Sequence, residues 1–300
     1  MSFSFDTKNE LCKLPVQKLC CARAEAYGIL LYCNTFSSTE VRIITENPNF
    51  AARLPKLFHR AFGLRFDRQP EPDQPGKMVF QITEQKKLDH ITNLLGYDPR
   101  QNMVLHINFA MLEEECCRAS FLRGIFFAGG SVTDPLKRYH LELTTSHAQV
   151  SRELDVLLRE CGYPPKCVSR NGSFVTYFKQ SDQIEDFLTL IGAPVAAMNL
   201  MSAKMEKDLR NSVNRRLNCD SANLDKAVLA AQEQMEAIRA LQTTGLLEQL
   251  PDKLQMTAAL RLENPELTLS ELAEEFDPPV SKSCLNHRLR KLSELAKTVK

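Results

Sequence analysis

Near the end of the chain, Leu285, Leu289 and Leu292 recur at i, i+4 and i+7 within the stretch Ser281–Leu292, which predicts a helix with one apolar stripe. At about 100° per residue, the opposite face carries Ser283, His287 and Arg290. Asn286 and Lys291 flank that face, and Lys282 and Arg288 lie nearer the stripe. Upstream, Thr268-Leu-Ser-Glu271 has the form of a capping box. It opens a short helix whose buried face is Leu269, Leu272, Ala273 and Phe276. Asp277-Pro278-Pro279-Val280 must stop that helix, because proline has no N–H to donate and disfavours α geometry in the residue before it. Ser281 then suits the N-cap of the last helix. A further helix is expected over Asp252–Glu263, closed by Asn264-Pro265. Helix, break, short helix, tight turn and basic amphipathic helix describe a helix-turn-helix, whose last helix enters the major groove.

Earlier in the chain the pattern repeats. Cys20–Asn34 (CCARAEAYGILLYCN) and Cys116–Gly130 (CCRASFLRGIFFAGG) align without a gap, and both the Cys-Cys and the Gly-Ile pairs coincide. Each reads as a helix with small residues where another backbone approaches closely. After the first come a strand over Glu40–Thr45, a helix over Asn49–Phe62, a strand over Met78–Thr83 and a helix over Lys86–Leu95. After the second come a strand over Arg138–Thr144, a helix over Ala148–Cys161, a hairpin turn at Asn171-Gly172, a strand over Ser173–Phe178 and a helix over Gln183–Ile191. Arg68–Lys77, with Pro70, Pro72 and Pro75, is expected to be a surface loop. Two α/β halves thus meet near Asp98–Leu112. From Asn199 to Leu247 the chain is polar, proline-free and helical in pattern. Lys204, Lys207, Arg210, Arg215 and Arg216 make its first part basic. It reads as a solvated connector or as a second phosphate-contacting surface.

The 300 residues fit about two domains. With 43% hydrophobic and 25% charged residues, the composition is globular. The net charge of +1 gives no general affinity for nucleic acid, so any such affinity must be local. It is indeed segregated: Glu271, Glu274, Glu275 and Asp277 make the short helix and turn acidic, while Lys282, Arg288, Arg290, Lys291, Lys297 and Lys300 make the last helix and tail basic. The first residues hold no signal-peptide pattern and no apolar run reaches a membrane span. The ten cysteines (12, 20, 21, 33, 116, 117, 161, 167, 219 and 284) form no Cys-x-x-Cys, and no histidine pair has zinc-finger spacing. The expectation is reduced thiols in a cytoplasm, most of them buried as small hydrophobes, with neither metal nor cofactor.

A duplicated half led by a helix with a small-residue Gly motif resembles the LAGLIDADG homing endonucleases. Leu122–Gly130 is the closer match and Ala26–Asn34 a degenerate one. The resemblance implies two such helices packed on a pseudo-twofold axis, and a nuclease carboxylate at each motif's penultimate position. Those positions are Cys33 and Gly129, neither of which offers the side-chain oxygen that magnesium requires. No catalytic residue is therefore expected, and Asp134 reads as a turn residue.

Further phrases are similar to the WhiA family of Gram-positive bacteria: Thr7-Lys-Asn-Glu-Leu11, Phe121-Leu-Arg-Gly124, Val213-Asn-Arg-Arg-Leu-Asn-Cys219 with Ala222-Asn223, Leu260-Arg-Leu-Glu-Asn-Pro265, and Ser281-Lys-Ser with Asn286-His-Arg-Leu-Arg-Lys291. At Tyr32–Asn34 the chain departs from the glycines frequent in the family.

The resemblance implies an α+β fold: a duplicated LAGLIDADG-like αββαββα domain over 1–196, with halves about 1–110 and 111–196, then a helical linker over 197–250 and an all-α helix-turn-helix domain over 251–300. It also implies a non-enzymatic, sequence-specific regulator that binds double-stranded DNA at promoter regions. The family's roles are in cell division, chromosome segregation and, in filamentous relatives, sporulation. The protein would be cytoplasmic and nucleoid-associated, away from the membrane, with a transcription factor or division protein as a further partner.

On the last helix, Ser283, Asn286, His287 and Arg290 are expected at base edges, and Lys282, Arg288 and Lys291 at phosphates, behind the Ser281 cap. The alternative is an interaction or effector-sensing protein whose α/β domain binds the partner and which uses DNA as an anchor.

Overall fold

The computed structural model describes residues 2–16, 18–71, 76–98 and 104–298. Pro72, Pro75 and Lys300, and part of the junction between the halves, lie outside the described residues. The chain forms two compact units, Met1–Asp208 and Leu209–Lys300.

The first unit opens with α1 (Phe3–Cys12). The first half follows as α2 (Leu19–Tyr32), β1 (Thr35–Phe36), β2 (Val41–Thr45), α3 (Pro48–Phe62), β3 (Met78–Ile82) and α4 (Gln85–Leu95). The second half is α5 (Glu115–Gly129), β4 (Gly130–Val132), β5 (Leu141–Thr145), α6 (Ala148–Glu160), β6 (Lys166–Arg170), β7 (Ser173–Phe178) and α7 (Ser181–Ile191). The second half thus runs αββαββα. The first shows three strands among the described residues, and the bridge Arg68↔Gln81 stands where a fourth would pair.

Both sheets are antiparallel, ordered β1-β2-β3 and β4-β5-β7-β6. The expected hairpin at Asn171-Gly172 joins β6 to β7. Both residues have positive φ, 48° and 77°, as the tight turns that match strand twist require.

Helices α2 and α5 are the spine of this unit. From Ala24 to Leu31 every side chain on α2 is buried, which explains its poor amphipathicity: other elements surround it. A methyl group at Gly28 would lie 2.2 Å from the Phe121 carbonyl oxygen, and one at Gly124 2.1 Å from that of Glu25. Only glycine permits this backbone-to-backbone approach. The substitutions at Tyr32–Asn34 do not prevent it, because the close approach is made earlier, at Gly28.

Charged groups complete the core. Glu25 accepts from Arg53 Nε at 2.6 Å and Nη2 at 2.9 Å, and from Arg123 Nη1 at 3.0 Å. Three helices are thereby tied through one buried carboxylate. Arg53 also donates to the Leu14 carbonyl. The Glu10 carboxylate accepts the N–H groups of Val195 and Ala196 at 2.7 and 2.9 Å, capping α8 (Pro194–Thr243).

The second unit contains the later part of α8 and three shorter helices, α9 (Asp252–Glu263), α10 (Leu269–Glu274) and α11 (Lys282–Lys297). Its core combines Leu254 and Ala258 from α9, Leu272 and Ala273 from α10, Phe276 from the following turn, and Leu285, Leu289 and Leu292 from α11. Ile238 and Leu241 of α8 are also buried in it.

Among the described residues no helix is long and apolar enough to cross a membrane. The cysteines depart from expectation: Cys117 alone is buried. Cys20, Cys167, Cys219 and Cys284 are exposed, because they fall in the first turn of a helix, on the edge strand β6 or in the solvated part of α8.

Candidate nucleic-acid interface

Local signals fix the placement of α11. The Thr268 hydroxyl accepts the Glu271 N–H at 3.4 Å while the Glu271 carboxylate accepts the Thr268 N–H at 2.8 Å, completing the capping box of α10. The Ser281 hydroxyl accepts the Cys284 N–H at 3.2 Å and starts α11. Leu285, Leu289 and Leu292 are at most 1% exposed, so the expected stripe is the buried one and the rotation of the helix is set.

That rotation leaves Lys282, Ser283, Asn286, His287, Arg290 and Lys291 exposed on one helix surface. Ser281 is exposed too, but its hydroxyl is committed to the cap and to a 3.1 Å contact with Ser283 Oγ. Arg288 is half-buried, with its guanidinium 5.5 Å from the centre of the Phe276 ring. This contact holds it against the preceding turn, on the flank of the exposed face. Arg290 is not idle: its Nε donates to Glu294 at 2.9 Å, an i,i+4 pair within the basic last helix.

Arg261 was not singled out by the hydrophobic pattern. It is 2% exposed, and its Nη1 donates to the Leu267 carbonyl at 2.7 Å, pinning the turn between α9 and α10. Burial lowers its pKa. An arginine at a periodic position of an amphipathic helix gives no local sign that it points inward.

The basic start of α8 is partly spent within the first unit. Lys204 pairs with Asp182. Lys207 donates to the Pro135 carbonyl at 2.5 Å and lies 4.5 Å from the centre of the Tyr139 ring. Arg215 and Arg216 are exposed.

The two positions where the resemblance implies nuclease carboxylates, Cys33 and Gly129, are structurally committed. Cys33 ends α2, its thiol donating to the carbonyls of Leu30 and Thr35 at 3.1 Å each, and burial pushes its pKa up to about 12. A Cβ at Gly129 would lie 2.5 Å from the Thr144 carbonyl oxygen and 2.6 Å from the Tyr32 ring. No side chain, acidic or otherwise, fits there while Tyr32 stays. Asp134 serves a turn, accepting the Leu136 N–H at 2.9 Å.

One cluster was invisible to sequence spacing. The Sγ atoms of Cys20, Cys21, Cys116 and Cys117 all lie within 4.8 Å of one another. The Cys-x-x-Cys criterion looks for ligands from one local segment, whereas here each half of the repeat supplies a pair.

Residues 118–210 match the WhiA LAGLIDADG-like domain, and residues 213–296 match the WhiA C-terminal HTH domain. The "Probable cell division protein WhiA" of Ruminiclostridium cellulolyticum is 36% identical, over all of this chain and 98% of the relative. That of Alkaliphilus metalliredigens is 35% identical, over 99% and 98%. The crystal structure of full-length WhiA from Thermatoga maritima has the same fold, with a TM-score of 0.61 at 21% identity, covering 99% of each chain. A structure of the N-terminal LAGLIDADG domain of WhiA aligns with 64% of this chain at a TM-score of 0.51 and 18% identity, covering 92% of that domain.

Proposed function

The chain belongs to the WhiA family, and from that premise we propose that it is a sequence-specific, double-stranded-DNA-binding regulator of genes for cell division and chromosome segregation. The observation that carries this reading is the exposed donor face of α11. Asn286 and Arg290 sit one turn apart on it, and these side chains can each pair bidentately with a base edge, adenine and guanine respectively. Ser283 and His287 complete the base-reading surface. Lys282, Arg288 and Lys291 hold phosphates and set the register of the helix in the groove. Residues 251–300 form the reading domain, and residues 1–196 form a LAGLIDADG-like domain without nuclease activity. At Gly129 the main chain and Tyr32 leave no room for a metal-binding side chain, and Cys33 is held by two carbonyls. The protein acts at promoter regions in the nucleoid, with a transcription factor or division protein as a further partner.

The test is fluorescence anisotropy of the full chain on genomic promoter fragments and on scrambled duplexes, over a range of salt. The reading requires selective binding that Asn286→Ala and Arg290→Ala each flatten at one base pair. Selectivity that survives both substitutions would place sequence reading elsewhere in the chain. Magnesium-dependent cleavage of the duplex would overturn the non-enzymatic assignment.

A further inference from the structure

Cys20-Cys21 occupies the first turn of α2, and Cys116-Cys117 the first turn of α5. Each pair begins eight residues before the glycine where the two helices meet (28 − 20 = 8; 124 − 116 = 8). The duplication and the glycine crossing therefore bring two vicinal cysteine pairs together. We propose that Cys20, Cys21, Cys116 and Cys117 bind one zinc ion through four thiolates, joining the beginnings of α2 and α5.

The geometry selects the ligand class. A tetrahedral four-sulfur zinc site has Zn–S bonds of about 2.3 Å, and so sulfurs about 3.8 Å apart. Sulfurs already within 4.8 Å reach that arrangement by small side-chain adjustments. An iron–sulfur cluster interposes a sulfide-bridged core and spreads its thiolates further. Four soft donors with no oxygen or nitrogen among them disfavour magnesium, calcium and manganese.

The surroundings suit the same ion. Cys117 is 3% exposed and forms the inner wall, Cys21 and Cys116 are half-buried, and Cys20 faces solvent, which gives an entry side. The Cys21 thiol of α2 donates to the Cys116 carbonyl of α5 at 3.6 Å, a contact that brings the two pairs together and that Cys21 gives up when it binds as thiolate. Burial raises the pKa of Cys21 and Cys117, so their thiolates form when the cation arrives, and the partial positive charge of the two helix N-termini acts in the same direction as the cation. Each thiol releases its proton to solvent on binding, and no electron changes hands. With four protein ligands the site has no open position, so its role is structural or metal-sensing rather than catalytic. Zinc bound there stabilises the association of the two halves by linkage.

The experiment uses the full chain, reduced and stripped of metal under anaerobic conditions, then titrated with zinc and separately with cobalt(II). The expected result is one ion per chain, a rise in thermal midpoint with zinc, and the intense visible bands of tetrahedral cobalt with thiolate charge transfer in the near ultraviolet. Cys20→Ser combined with Cys117→Ser abolishes the cobalt spectrum, while Cys219→Ser combined with Cys284→Ser leaves it unchanged. The wild-type titration stands even if the first double variant folds poorly. A well-folded wild-type chain that takes up neither ion overturns the proposal. So does a cobalt spectrum that survives loss of Cys20 and Cys117 in a folded variant. Acid-labile sulfide in the purified protein would mean a cluster in place of the single ion, and the proposal would again fail.

Discussion

Gly28 and Gly124 occupy equivalent places on α2 and α5, and each meets the main chain of the other helix three residues before the partner glycine, at Phe121 and Glu25. The obstacle at each position is a backbone carbonyl, which cannot swing aside as a side chain does. Gly124→Ala therefore forces the helices apart and disturbs all that packs around them. Its expected cost is about 3 kcal/mol or more, at the upper end for overpacking. Urea unfolding of the full chain measures it, and a loss below about 1 kcal/mol would show that the spine yields more easily than its geometry implies.

Glu25 binds two arginines, and all three groups are largely withdrawn from water, with side-chain exposures of 3% for Glu25, 5% for Arg53 and 14% for Arg123. Glu25→Ala leaves two cations without their shared partner. The expected loss is about 3–5 kcal/mol, as for breaking other buried ion pairs. The exposed pair Arg159–Asp155 is the control, and Arg159→Ala should leave the unfolding transition where it is. Similar effects from the two substitutions would contradict the distinction.

On α11, the ion pair between Arg290 and Glu294 must open for Arg290 to reach a base. Glu294→Gln should therefore tighten binding to the preferred duplex, because the arginine no longer gives up a carboxylate and a repulsive charge leaves the interface. Arg290→Ala should cost about 1–3 kcal/mol on that duplex and much less on a scrambled one. Anisotropy on both duplexes decides it, and equal losses on the two would reduce Arg290 to a phosphate contact.

Lys291 supplies the complementary case. Lys291→Ala should weaken binding to all duplexes alike and lower the slope of log K against log salt by about one unit. An unchanged slope would remove Lys291 from the phosphate-contacting set.

In the first unit, Asp67 accepts the N–H groups of Thr83 at 2.6 Å and Glu84 at 2.8 Å, and it pairs with Lys87. Burial acts to raise its pKa, but these donors outweigh it and lower the pKa from 3.8 to about 2. A carboxyl depressed in the folded state contributes stability above its unfolded pKa, and loses it as pH falls through the folded value. The wild type should thus exceed Asp67→Asn in stability at neutral pH, and the gap should close between about pH 4 and pH 2. Parallel unfolding curves at pH 6 and pH 2.5 measure this, and a gap that stays constant would show that the carboxylate acts by shape alone.

Much of this molecule was determined by the sequence itself, because its signals act within a turn or two of chain. The capping box at Thr268, the stop at Pro278-Pro279, the cap at Ser281 and the leucine stripe of α11 lie within twenty-five residues and specify both the helix and its rotation. The exposed set on α11 follows from that rotation. The internal repeat likewise announced two equivalent helices. What tertiary structure alone decided were relations between distant residues. Only packing could turn Arg261 inward, spend Lys204 and Lys207 on the first unit, and set Tyr32 against Gly129. The cysteine cluster makes the same point: Cys21 and Cys116 are 95 residues apart, and they meet because two glycines let two helices cross at main-chain contact. Local patterns constrain dihedral angles and faces, whereas which faces meet, and which polar groups are desolvated together, is set by the packed chain as a whole.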